Sequence, residues 1–292
     1  MTRKKRTRAI LACIALLLLA GLLFNLILNT RVRAVSYTVS LSNLDSPVRL
    51  VLLSDLHGKS FGRDNSRLIA KIQEQAPDAI CLAGDMLERN ADAQDVKALL
   101  QLVERLCQIA PVYFAPGNHE QEYMETNDTL LMQVAEAGAV VVNDSYADAV
   151  IAGQPLRIGG TMGHAFYFGR TEEEFTASPE YRFLKEFEHT EAPKICLAHM
   201  PDTFIFNGAY NLWDVDLVLS GHTHGGLVRL PFVGGLYAPM QGWLPEYDRG
   251  WFRLGDHMQM VITSGLAGHD IIPRINNPPE IAVIELVPTS ER

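Results

Sequence analysis

The chain has 292 residues, 48% hydrophobic and 20% charged, with 22 Gly and 15 Pro. That is ordinary globular composition, and it excludes collagen-like, disordered and disulfide-scaffold classes. The formal charge is −9, yet no Asp or Glu precedes Asp45, whereas Arg3, Lys4, Lys5, Arg6, Arg8, Arg31 and Arg33 all do. Beyond those seven stand 18 basic against 34 acidic residues, a balance of −16 that repels phosphate backbones, so no nucleic-acid partner is expected.

Residues 9–28 carry no charge. As a helix rising about 1.5 Å per residue they reach across a hydrocarbon core of about 30 Å. Five basic residues precede this run and two follow it, so the positive-inside bias keeps the N-terminus in the cytoplasm. A removable signal peptide has the same polarity, but its apolar region is shorter and ends in small residues, whereas Asn29-Thr30-Arg31-Val32-Arg33 follows here. The expected organisation is a basic cytoplasmic stub (1–8), a single-pass anchor in the inner (cytoplasmic) membrane (9–28), a linker (29–46) and a folded body (47–292) on the extracytoplasmic side. Cys81, Cys107 and Cys196 fall in apolar runs without regular spacing and read as small buried hydrophobes.

From position 48 short apolar runs alternate with helical patterns. Runs at 48–53, 79–83, 112–115 and 139–142 read as buried strands. Between them, Leu68, Ile69 and Ile72 share one helix face, and Val96, Leu99, Leu100, Val103 and Leu106 share another. Further strands are expected at 194–198, 216–220, 258–263 and 281–286, giving an α/β fold of layered sheets and helices. The charged stretch 169–191 reads as a solvated surface helix.

Metal-type side chains follow five of these strands: Asp55 and His57, Asp85, Asn118 and His119, His199, and His222 and His224. Open α/β sheets place their sites at such strand ends. Asp-x-His and His-x-His each put two donors on one side of an extended segment. Carboxylate, amide and imidazole donors without thiolates favour Mn, Fe or Zn. Each block alone also reads as a capped turn or a hydrogen-bonded core histidine; it is their joint occurrence, always after an apolar run, that favours metal.

Asp55-x-His57, Gly84-Asp85, Gly117-Asn118-His119-Glu120, His199 and Gly221-His222-Thr223-His224 resemble the signature of the calcineurin-like metallophosphoesterase superfamily, over roughly 48–286. Within it, the anchor and the Ser54-Asp55-Leu56-His57-Gly58 start look like a small bacterial membrane-associated branch, the YkuE or YaeI type. The resemblance implies a four-layer β-sandwich flanked by helices. It also implies two divalent ions, Mn, Zn or Fe: one held by Asp55, His57 and His224, the other by Asn118, His199 and His222, with Asp85 bridging. His119 would stand at the leaving group as the catalytic residue. The implied activity is a phosphodiesterase or phosphatase using a metal-bridging hydroxide for in-line attack on phosphorus.

Between the last ligand block and the C-terminal strand lie Phe232, Val233, Leu236, Tyr237, Met240, Trp243, Leu244, Tyr247, Trp251 and Phe252. They read mainly as core; exposed, they would form an apolar lip beside the site and point to a lipid-linked phosphoester substrate. The resemblance extends to membrane-anchored relatives and so implies the alternative enzyme reading, a lipid-linked pyrophosphohydrolase such as one acting on UDP-2,3-diacylglucosamine. The non-enzyme alternative is an anchored, metal-containing binding module. Neither spacing nor composition speaks to oligomeric state.

Overall fold

The computed structural model describes residues 3–162, 171–268 and 272–289. Helix α1 (Arg3–Leu28) leads into β1 (Arg33–Leu41). There follow β2 (Val48–Leu53), α2 (Ser66–Gln73), β3 (Ala79–Ala83), α3 (Ala93–Cys107), β4 (Val112–Ala115), α4 (Asn118–Met124), α5 (Leu130–Glu136) and β5 (Val140–Val141). The next elements are β6 (Ser145–Ile151), β7 (Gln154–Thr161), α6 (Glu172–Thr176), α7 (Pro179–Phe187), β8 (Lys194–Ala198), α8 (Asp202–Ile205) and β9 (Leu217–Ser220). Two small hairpins come next, β10 (Arg229–Leu230) with β11 (Gly234–Gly235) and β12 (Tyr237–Ala238) with β13 (Gly242–Trp243). The described chain then runs through β14 (Gly250–Leu254), β15 (Met258–Ile262) and β16 (Glu280–Pro288).

The strands form two six-stranded sheets, ordered β1-β16-β2-β3-β4-β5 and β14-β15-β9-β8-β7-β6. In the first, β2, β3, β4 and β5 run parallel; in the second, β7, β8, β9 and β15 do. Side-chain alternation explains the stacking. Leu50, Leu52, Ala79 and Cys81 face Ile195, Leu197, Leu217 and Leu219 across the inter-sheet core. Val51, Leu53, Ile80 and Leu82 point the other way, onto Leu68 and Ile72 of α2 and Leu99, Val103 and Leu106 of α3. Cys196, Val218 and Met260 pack beneath Phe183, Leu184 and Phe187 of α7. The result is the helix–sheet–sheet–helix arrangement of four layers. Strands buried on both faces are apolar at nearly every position, which is why β2, β3, β8 and β9 were readable as near-continuous runs, broken only by Arg49, Lys194 and Ser220.

Local chemistry sets the boundaries. Asp92 caps α3 by accepting from Gln94 N (2.7 Å) and Asp95 N (3.0 Å), and Asp95 reciprocates at Asp92 N. Ser178 caps α7, with Pro179 in its first turn.

Three expectations are corrected. The segment 29–46 is more than a linker, because Arg33–Leu41 is an edge strand paired in parallel with β16 from Arg33↔Glu280 to Leu41↔Pro288. The charged stretch is not a solvated helix: its described part, from 171, forms α6 and α7, and these bury Phe175, Phe183, Leu184 and Phe187. The run at 139–142 yields only the two-residue, half-exposed β5.

Candidate metal centre

Strands β2, β3 and β4 of one sheet and β8 and β9 of the other end at a common rim, where backbone hydrogen bonds stitch the loops together. Asp55 N donates to Gly84 O (3.1 Å), His57 N to Asp85 O (3.0 Å) and Gly221 N to His199 O (3.1 Å). The sheets are joined by His222 N donating to the Asp55 carboxylate (3.1 and 3.2 Å) and by His199 Nδ1 donating to Ala83 O (2.8 Å). Two glycines are required by close approach. A Cβ on Gly117 would lie 2.2 Å from Asp85 Oδ1, and one on Gly221 would lie 1.9 Å from Ser54 Oγ.

At this rim the donors fall into neighbouring groups. Asp55, His57 and His224 offer atoms within 4.8 Å of one another, and so do Asp85, His199 and His222. His119 joins a third group with His57 and Glu88. Asp85 is central: its Oδ2 lies 3.1 Å from His199 Nε2, 3.8 Å from His57 Nε2 and 3.9 Å from His119 Nε2. Asn118 opens α4, with its Oδ1 buried and unpartnered among the described residues.

The donor set fits cations. A carbonyl can only accept, so His199 Nδ1 carries the proton and its Nε2 lone pair faces the Asp85 carboxylate. Two acceptors meeting in a dry site need a positive charge between them. With no ion, burial pushes His199 down, but the Asp85 charge and hydrogen bond overcome it and lift the group to about 10, so a proton would do the cation's work. Burial, helped by neighbouring imidazoles, pushes His222 and His224 down to about 3. Both rings are therefore neutral at pH 7, as metal ligation requires. Buried and without hydrogen-bond partners among the described residues are His57 Nε2 and His222 Nε2, while His199 Nε2 meets only the Asp85 carboxylate.

Three residues missed in the sequence complete the rim. Glu88 sets its oxygens 3.0 Å from His57 Nδ1 and 2.9 Å from His119 Nδ1. Burial pushes His57 down, but Glu88, Asp85 and Asp55 together raise it. Arg89 Nη2 donates to His119 Nε2 (2.8 Å), so that nitrogen accepts, and burial holds His119 below its ordinary value. Here His119 is neutral, and Arg89 supplies the positive charge at its outer nitrogen. Glu120, fully buried, accepts from the backbone N–H groups of Asp85, Met86, Leu87 and Gly117. Glu120 was visible as the end of Gly-Asn-His-Glu; nothing local marked Glu88 or Arg89.

A dry rim where carboxylates and imidazoles from two sheets converge offers groups that could hold metal ions. The family model for calcineurin-like phosphoesterase matches residues 48–226, and the chain belongs to that family. It is similar to the metallophosphoesterase Cj0846 of Campylobacter jejuni, 28% identical over 254 residues, covering 86% of this chain and 62% of that one. Phosphodiesterase YaeI of Escherichia coli is 27% identical over 244 residues, 83% of each chain. A Danio rerio transmembrane protein with metallophosphoesterase domain is 30% identical over 261 residues, 82% of this chain and 53% of that one. The chain spans somewhat less than two thirds of the length of the Campylobacter and Helicobacter relatives it matches.

Proposed function

We propose that this protein is a dinuclear-metal-dependent hydrolase of phosphoesters, most readily of phosphodiesters. Asp55, His57 and His224 would hold one ion and Asn118, His199 and His222 the other, with Asp85 between them. When bound, such ions lower the pKa of a water and neutralise developing phosphoryl charge. The remaining work falls to the chain. The Ala83 carbonyl fixes the His199 tautomer, the His222 amide orients Asp55, and Glu120 holds the Asp85 and Asn118 turns in register. His119 and Arg89, side by side, present a proton-transfer site and a guanidinium to the departing oxygen.

The observation that carries this reading is the three buried imidazole nitrogens gathered around two carboxylates, two of them without hydrogen-bond partners among the described residues and the third facing only the Asp85 carboxylate. The printed name of the Escherichia coli relative supports the phosphodiester preference. By length and composition, Ile10–Leu28 can cross a membrane, and none of it is buried against the body. With the basic flanks, this supports a single-pass anchor with the body at 47–292 outside the cytoplasm. The test is hydrolysis of bis-p-nitrophenyl phosphate by full-length protein in detergent, chelated and then reloaded with Mn²⁺ or Zn²⁺. Hydrolysis should return with metal; two bound ions and no hydrolysis of this or a monoester would refute the proposal in favour of a binding module.

A further inference from the structure

Outside α1, twelve large apolar side chains stand exposed among the described residues, and six of them lie between 230 and 244: Leu230, Phe232, Val233, Met240, Trp243 and Leu244. The expectation that the aromatic-rich segment is core is thus overturned, because none of its ten named members is buried. Phe232 is wholly exposed and Trp243 is 77% exposed, packed edge-on against Tyr237 with ring centres 5.7 Å apart.

This lip is fastened to the metal-type loop. Leu236 N donates to Gly226 O (3.1 Å) and Val228 O (2.9 Å), and a Cβ on Gly226 would fall 2.3 Å from Gly235 Cα. Asp248 accepts from Arg229 (2.7 Å) and from Gly235 N (2.6 Å), while its carbonyl accepts from Thr223 Oγ1 (2.6 Å), between His222 and His224. The same hairpins are fastened to the end of α1. Asn276 Nδ2 donates to Arg229 O (3.2 Å), Asn276 N to Asn25 Oδ1 (3.0 Å), and Asn25 and Asn29 both donate to Arg274 O (2.8 and 3.1 Å). The exposed Arg31 and Arg33 follow immediately. Exposed Trp beside Tyr, next to Arg and at the exit of an apolar helix, is the composition of a bilayer boundary.

We propose that the 230–244 lip sits in the headgroup–acyl boundary of the bilayer that α1 crosses, so that the cleft acts on phosphoesters of amphiphiles held in that leaflet. Continuity with the end of α1 identifies the occupant as that bilayer. The substrate half rests on the phosphoester-hydrolase reading; the insertion half rests on geometry alone. In the reaction the water oxygen bonds to phosphorus and the P–O bond to the leaving alcohol breaks. One water proton goes to that alcohol and the other to solvent.

The test uses full-length protein in phosphatidylcholine–phosphatidylglycerol vesicles. The Trp243 emission, obtained as the difference between the parent and Trp243→Phe, should fall about twofold or more with acyl-brominated lipid and resist iodide. Quenching by iodide and not by brominated lipid would overturn the insertion. With metal loaded, Phe232→Ser combined with Trp243→Ser should lower turnover of a vesicle-borne diacylglycerol p-nitrophenyl phosphodiester about tenfold and leave bis-p-nitrophenyl phosphate within about twofold. An unchanged ratio of the two activities, or a parent that cleaves only the soluble diester, would overturn the substrate class. A parent inactive on both would sink the hydrolase reading, and the quenching result would still decide the lip. Should the double variant lose both activities through misfolding, the parent's own two activities and its quenching decide.

Discussion

Glu120→Gln isolates the groups that hold the metal-type turns together. Glu120 Oε2 accepts from Asp85 N and Gly117 N, each at 2.8 Å, and Oε1 from Met86 N (2.6 Å) and Leu87 N (2.9 Å). Four donors on two oxygens leave no room for a donor on the side chain. An amide nitrogen in place of either oxygen would face two N–H groups and strand both. Each stranded buried donor costs about 1–3 kcal/mol, or about 2–6 kcal/mol for the pair. The carboxylate's own burial beside Asp85, which raises its pKa, offsets part of this, because the amide no longer carries that charge. The expected loss is about 3 kcal/mol. At about 2–4 °C per kcal/mol for a domain of this size, the midpoint should fall by about 6–12 °C. Thermal unfolding of full-length protein in detergent, followed by far-UV circular dichroism without added metal, reads this directly. Metal content by mass spectrometry should fall as well, since Asp85 and Asn118 lean on the same carboxylate. A midpoint within about 2 °C of the parent would show that the four contacts are energetically idle and refute the reasoning.

His119→Ala should keep its metal while turnover falls by about 10²–10⁴; parallel loss of metal would remove the leaving-group role. Asp202, buried just after His199, has its carboxyl raised to about 6 by desolvation, and neither oxygen has a hydrogen-bond partner among the described residues. Between the unfolded value of 3.8 and about 6 the native form keeps a proton that the unfolded chain releases, so this group's contribution to stability falls as pH rises through that window and stays low above it. Asp202→Asn should therefore be stabilised relative to the parent at pH 7.5, by at most about 3 kcal/mol, and lose that advantage near pH 4; a pH-independent difference between the two melting curves would exclude this account.

The sequence revealed the site better than the edges of the fold. Strand β3 is apolar at every position, and β8 at every position after Lys194, because both faces are covered, and the metal-type residues after them were conspicuous against that background. The edge strand β1 escaped because its half-exposed pattern is ordinary and its partner, β16, lies at the far end of the chain. Hairpin β6–β7 escaped for a related reason: β6 alternates between exposed and half-buried positions, and β7 contains Gly159 and Gly160 where rings and backbone press too closely for a Cβ. Glu88 and Arg89 gained their roles only when β4 brought His119 beside them. The 230–244 segment failed in the opposite sense, since aromatic content measures the wish for burial and says nothing about whether a partner is present.

One backbone feature ties the fold to the chemistry. Asp55, His57, Asp85, His222 and His224 all lie in the left-handed region, with φ between 48° and 66°. Each costs a side-chain-bearing residue about 1–2 kcal/mol, so the five together approach the net stability of an ordinary domain. Glycine would relieve that cost, but a glycine supplies no imidazole or carboxylate. Asp and His are among the residues that tolerate this region best, which makes the donors themselves the least costly choice for such turns. The conformation persists because the surrounding contacts over-determine it: the Asp55 carboxylate holds the His222 amide, the Gly84 and Asp85 carbonyls hold the Asp55 and His57 amides, and Glu120 holds the Asp85 amide. A cation seated among these donors would bind the folded form alone, so chelating a metal-loaded sample should lower its thermal midpoint, and an unchanged midpoint would exclude a bound ion.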